Sequence, residues 1–150
     1  MIEYKQVNDH IVIMPSNDIF EDDLIFPRKI DGFPITSIAD KAFSGSMLTS
    51  VELPDRLEKI GYKSFYGCKS LTEIVIPDTV TKIGVLAFAS CSSLKKIKIP
   101  KSVVKFGDLV FKDCPESLTI YGEKGSAAES YAKEYGIKFA DSSEFDKSGD

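Results

Sequence analysis

Histidine is almost missing from this chain: His10 is the only one in 150 residues. It stands beside Asp9, and nothing nearby is spaced to work with it as an acid or base. A place on a surface or an edge is expected for it. There is no CxxC, phosphate-cradling glycine loop, dinucleotide fingerprint or metalloprotease motif. Paired carboxylates such as Asp22 and Asp23 lie within a charge run, which usually marks a solvated face. These absences argue against an enzyme, a resident metal and a cofactor.

Long apolar runs are also missing. The longest, residues 85–89, has five members, whereas a membrane span needs roughly 18 or more. No insertion into a bilayer is expected. The opening residues, MIEYKQVNDH, lack the basic start and apolar stretch of a secretory signal. The chain is therefore expected either to stay inside the cell or to have lost a leader ahead of Met1.

Charge is modest and uneven. The net charge is −4. Residues 1–23 carry six acidic groups and one lysine, and residues 141–150 carry four acidic groups and one lysine, which leaves residues 24–140 mildly basic. That excess falls far short of the basic footprint of a nucleic-acid binder. A hydrophobic content of 43% suits a folded chain, and the length suits one domain.

What the chain does have is repetition. Pro54, Pro77 and Pro100 recur every 23 residues, as do Gly61, Gly84 and Gly107 and then Cys68, Cys91 and Cys114. Phe43, Phe65, Phe88 and Phe111 step by 22, 23 and 23. A fixed period of this length signals a solenoid. In Val51-x-Leu53, Ile74-x-Ile76 and Ile97-x-Ile99 the apolar residues alternate, so each triplet reads as a short strand with one residue facing water. The proline that follows has no amide to donate, and it keeps the residue before it extended. The glycine column marks a corner, but Ala39 holds that place in the first unit, so positive φ cannot be compulsory there.

Stacking follows from magnitudes. Ordering one unit costs roughly 25–45 kcal/mol at about 1–2 kcal/mol per residue, while one buried Phe, Leu or Ile returns about 1.5–3 kcal/mol. No unit stands alone, so each must cover the faces of its neighbours.

The motif Leu71-x-x-Ile74-x-Ile76-Pro77-x-x-Val80-x-x-Ile83-Gly84-x-x-Ala87-Phe88-x-x-Cys91 resembles the repeat of BspA-type leucine-rich-repeat proteins, over residues 24–121. The resemblance implies an α/β fold: a right-handed solenoid of about four 23-residue rungs, with a parallel sheet on its concave side. It also implies a bacterial surface protein, associated in some members with adhesion, and it brings no catalytic residues.

Residues 1–140 are read as one domain. Residues 1–23 form an N-terminal β cap, with short strands around Tyr4-x-x-Val7 and Ile11-Val12-Ile13-Met14, and residues 24–121 form the repeats. Residues 29–34, rich in glycine and proline signals, read as an inserted loop. Residues 122–140 form a C-terminal cap. There Ser126 and Glu129 fit a capping box, Ala128, Tyr131, Ala132 and Tyr135 share a helix face, and Gly136 sits at the C-cap position. Ile137 and Phe139 suggest a last strand. Residues 141–150 are polar and acidic enough to be expected disordered.

Cys68, Cys91 and Cys114 share one repeat position, which reads best as a column of buried thiols filling space. Regulatory oxidation or a metal would suit a straight column less well.

The candidate binding surface is the outward side of the strands: Ser50, Glu73 and Lys96 in one column, Glu52, Val75 and Lys98 in the next. Charge changes from acidic to basic across the rungs, and lysines 95, 96, 98 and 101 add a basic patch open to an acidic protein or an anionic glycan. A monomeric recognition module for a protein or carbohydrate is the expected function. A spacer or small intracellular scaffold without a ligand is the alternative.

Overall fold

Wherever inward and outward side chains alternate, the chain forms a strand, and most units carry two such places. The structure, a computed structural model, describes residues 1–18 and 20–147. In chain order the elements begin with β1 (Glu3–Val7), β2 (His10–Met14), β3 (Glu21–Ile25), β4 (Lys29–Ile30) and β5 (Phe33–Ile38). Next come β6 (Met47–Glu52), β7 (Lys59–Ile60), β8 (Glu73–Val75), β9 (Lys82–Ile83), β10 (Lys96–Lys98) and β11 (Lys105–Phe106). Then follow β12 (Thr119–Gly122), helix α1 (Ala127–Tyr135), β13 (Lys138–Asp141) and a short 3-10 helix, Ser142–Glu144. Among the described residues no helix is long and apolar enough to cross a membrane.

The strands fall into two rows. In the first, β1 and β2 form an antiparallel hairpin, and β2 continues in parallel through β5, β7, β9 and β11. In the second, β3 pairs with β6, and β8, β10, β12 and β13 pair in series, all parallel. This is a parallel-strand solenoid of about six turns, where about four regular rungs were expected. The extra turns come from the ends. Pairing needs only extended backbone at the right height, so β13 and the irregular unit carrying β3 join the row without matching the full repeat.

The interior consists of vertical files. The rings of Phe43 and Phe65 are 5.4 Å apart, those of Phe65 and Phe88 are 5.2 Å apart and nearly parallel, and those of Phe88 and Phe111 are 6.0 Å apart. Beside this file run Leu48, Leu71, Leu94 and Leu118, then Leu57, Val80 and Val103, all buried in one core.

The glycine column serves close approach. A Cβ at Gly61 or Gly84 would lie 2.6 or 2.7 Å from backbone atoms of the previous rung. Positive φ falls two residues later instead, on Lys41, Lys63, Leu86 and Leu109. This left-handed residue tightens each corner so that successive corners bond to each other: Phe43 N–H donates to Ser64 O, Phe65 N–H to Ala87 O and Phe88 N–H to Val110 O.

Residues 29–34, expected as a loop, form a small hairpin: β4 pairs with the start of β5, and Asp31 and Gly32 both have positive φ, as a primed two-residue turn requires. Helix α1 begins at the Ser126 cap, whose hydroxyl accepts from Glu129 N–H. The return bond differs from the expected box, because Glu129 Oε1 accepts from Gly125 N–H rather than from Ser126. Gly136 closes the helix at φ 67°. Tyr131 packs its ring 4.6 Å from Phe106, accepts from Val110 N–H and donates to Gly107 O, so its hydroxyl fills the place of a further rung at the last corner. Burial pushes that hydroxyl up to about 12.

Residues 141–147 depart from the expected disorder. Asp141 ends β13 and caps the 3-10 helix, accepting from both the amide and the hydroxyl of Ser143, which holds its carboxyl below the usual range. Phe145 is buried, at 3% exposure. A polar composition conceals a single anchoring ring. The remainder of that stretch, residues 148–150, lies outside the described residues.

Candidate functional site

The second row of strands carries all six candidate residues on its outward side. Parallel pairing in register sets Lys96 between Glu73 and Thr119, and Lys98 between Val75 and Tyr121. Inward Ile74, Ile97 and Ile120 anchor the same strands in the core. Each outward column is therefore held in line by the file behind it.

The row is split. β3 and β6 form one ladder, and β8 to β13 form another, with no ladder joining β6 to β8. Thr49 bulges out of register in β6: Asp22 faces Leu48, but Asp23 faces Ser50. The break falls at the unit where the phenylalanine file shortens its step to 22 residues. Between the ladders lies a groove of about 600 Å³, lined by Ser50, Glu52, Asp55, Glu73, Val75, Pro77 and Asp78 over the buried Val51, Leu53 and Ile74. Its lips are acidic and its floor is apolar. The Ser50 hydroxyl is committed, donating to Asp23 at 2.6 Å.

A second groove, of about 580 Å³, lies on the other side of Val75 and runs along Lys98, Pro100, Lys101 and Ser102 to Glu123 and Ser142. Val75 and Asp78 border both grooves, and Val75 is 47% exposed. Ser50, Glu52, Glu73, Val75 and Lys98 are thus brought to two adjoining grooves.

Lys96 is not an open member of this surface. It is 8% exposed, its Nζ donates to Phe145 O at 2.8 Å, and the same ammonium sits 4.4 Å from the Phe145 ring. Lys98 lies 6.0 Å from that ring, and Tyr121 meets it edge-on at 5.3 Å. Tyr121 could have been found in the sequence by extending the Val75–Lys98 column one rung. Phe145 left a fainter trace, as a lone aromatic in an acidic stretch. Asp55 and Asp78 share one repeat position, each directly after the periodic proline, whereas Asp23 gave no periodic signal.

The remaining reactive side chains have structural partners. His10 Nδ1 lies 2.9 Å from Thr36 Oγ1. Cys68, Cys91 and Cys114 are free thiols, and each donates to the carbonyl of a phenylalanine one rung back: Phe43, Phe65 and Phe88. The adjoining Cys68 thiol and burial push Cys91 up, and burial pushes Cys114 up to about 11. Cys91 and Cys114 are thus proton-holding thiols rather than ready nucleophiles, whereas hydrogen bonds with Cys91 and Ser46 lower the Cys68 thiol despite its burial. A smaller cavity of about 240 Å³ separates the last corner from α1, lined by Leu109, Phe111, Cys114, Tyr131 and Tyr135 among others.

Stacked parallel strands, one file of side chains per repeat position and corners bonded corner to corner define a leucine-rich-repeat solenoid. A family model described as "BspA type Leucine rich repeat region" matches residues 26–132 in six copies, and the chain belongs to that family. A comparison with curated proteins returns no match.

Among solved structures, the chain is similar to a leucine-rich-repeat protein of T. pallidum, at 29% identity and a TM-score of 0.63, covering 80% of this chain and 68% of that one. It is also similar to a leucine-rich-repeat protein from Bacteroides capillosus, at 28% identity and a TM-score of 0.70, covering 81% of this chain and 94% of that one. A leucine-rich-repeat protein from Bacteroides ovatus shares the fold at 24% identity and a TM-score of 0.69, covering 93% of this chain and 39% of that one. Leucine-rich-repeat proteins generally act in protein interaction, and this family is generally non-enzymatic.

Proposed function

We propose that this chain is a non-catalytic recognition module that takes a protein partner on the outward face of the second strand row, the concave face expected from the repeat. The observation that carries the reading is the pair of adjoining grooves on that face. One has only acidic charges on its lips, at Glu52, Asp55, Glu73 and Asp78, and the other sets Lys98 and Lys101 among Asp78 and Glu123. Apolar floors supply buried area, and the presence of lysines on only one side of Val75 sets the direction of a bound segment. A protein segment with a basic and an acidic half fits this pattern better than a glycan of uniform charge. A bacterial surface setting, with adhesion as the outcome, fits the family resemblance, and the module works as a monomer.

The test is capture of partners by the immobilised full chain from host-surface and bacterial extracts, alongside Glu52→Lys/Glu73→Lys. Both glutamates are exposed, so the double variant is expected to keep its thermal midpoint and lose the captured protein. A captured set unchanged by the double reversal would refute this face as the site, and capture of nothing by the parent chain would favour a spacer.

A further inference from the structure

We infer that the seat formed by Lys96, Lys98 and Tyr121 is a docking site for a partner-protein segment carrying an aromatic residue among acidic ones, and that residues 142–147 of this chain occupy it as a built-in competitor. The inference rests on the recognition reading above and names the partner chemistry for its basic half.

Phe145 lies over β10, an interior strand paired on both sides by β8 and β12. The end of the core is closed elsewhere, by β13 beside β12 and by Tyr131 and Ala132 of α1. Phe145 therefore covers an outward face and is not needed to seal the core. The seat supplies three kinds of contact to one residue: a charge-assisted hydrogen bond from Lys96 Nζ to the main-chain carbonyl, the Lys96 ammonium over the ring, and the edge-on Tyr121 ring. A cation over an aromatic face gains strength when it is desolvated, as Lys96 is here.

Glu144 and Asp146, on either side of the anchor, remain exposed. One buried ring between two acids, facing lysines, is the pattern of a short linear motif held in a groove. Tethering raises the local concentration of residues 142–147 to the order of millimolar. A weak intrachain contact thus stays occupied, and a partner reaching further along the grooves can still displace it.

The probe is a fluorescein-labelled peptide with the sequence of residues 141–147, DSSEFDK, titrated by anisotropy against the full-length chain and its Phe145→Ala variant. The variant is expected to bind the peptide at least about ten-fold tighter than the parent chain. A peptide with alanine in place of the phenylalanine should not bind, and adding Lys96→Met to Phe145→Ala should weaken binding by about ten-fold. Circular dichroism on each variant confirms that the solenoid is retained. Equal or absent binding by parent and Phe145→Ala chains up to millimolar peptide would overturn the inference. So would light scattering showing that the parent chain dimerises through exchanged Phe145 segments, since the occupant would then be a second copy. Glu52 and Glu73 are untouched in these variants, so this test and the extract capture fail independently.

Discussion

Gly107 rides directly on Val85 of the previous rung: a Cβ at position 107 would fall 2.3 Å from the Val85 amide nitrogen and 2.6 Å from its Cα. Neither atom belongs to a flexible side chain, so the corner itself would have to open. Gly107→Ala is expected to destabilise the fold by about 2–4 kcal/mol, in the range of strong overpacking, which urea unfolding will measure. A cost below about 1 kcal/mol, or the gain of about 0.4–1 kcal/mol that glycine-to-alanine gives at an unhindered site, would show that the corners are not in contact.

The file of rings should also lose stability when cut, but through a void rather than a clash. Phe88 is fully buried between Phe65 and Phe111, so Phe88→Ala removes contacts on both sides. A loss of about 3–5 kcal/mol is expected. Equilibrium denaturation that showed less than about 1 kcal/mol would contradict the stacking.

Ser64 precedes Phe65 in a column otherwise filled by Ala42, Ala87 and Val110, and its buried hydroxyl has no hydrogen-bond partner among the described residues. Ser64→Ala removes an uncompensated polar group and leaves the methyl-sized space already used in neighbouring rungs. A gain of about 1 kcal/mol is expected, seen as a raised thermal midpoint. A lowered midpoint would mean that the hydroxyl is satisfied in solution.

Cys114 provides a pH test. Its thiol rises from an ordinary 9.0 to about 11 through burial. Below pH 9 the thiol is protonated in both folded and unfolded chains and stability is unaffected by it. As pH rises from 9 to 11 the unfolded chain ionises first, so stability falls across that window. Cys114→Ala should flatten the decline. Alkylation of native Cys114 should stay slow near pH 8 and accelerate toward pH 11, which mass spectrometry of the labelled chain will show.

Much of the fold is legible in the sequence because repetition lets each column be read several times. The phenylalanine, leucine and cysteine files, the short strands before the prolines and the start of α1 at Ser126 all follow from spacing and local chemistry. The end units were harder. Ile137 and Phe139 mark a last strand, but nothing local shows that β13 pairs in parallel with β12 and adds a turn, and the same holds for β3 beside β6. The glycine column was read as a corner but not as a contact, because a distance to the previous rung is invisible in one strand of text.

The candidate surface divides in the same way. Alternation in strands 3 residues long is enough to place Glu73, Val75, Lys96 and Lys98 on an outward face. Nothing local reveals that β6 and β8 part to leave a groove, because a ladder break depends on how two rungs sit on each other. Nothing local reveals Phe145 on Lys96 either, since 49 residues separate the two.

What the amino-acid order determined by itself was the period, and with it the vertical files and the family. A repeated residue meets its own copy at every turn, so its role needs only one counting rule. Tertiary structure alone decided which faces remain open. Coverage by distant or irregular segments is governed by where the chain returns in space, and the split row and the seated Phe145 are both outcomes of that return.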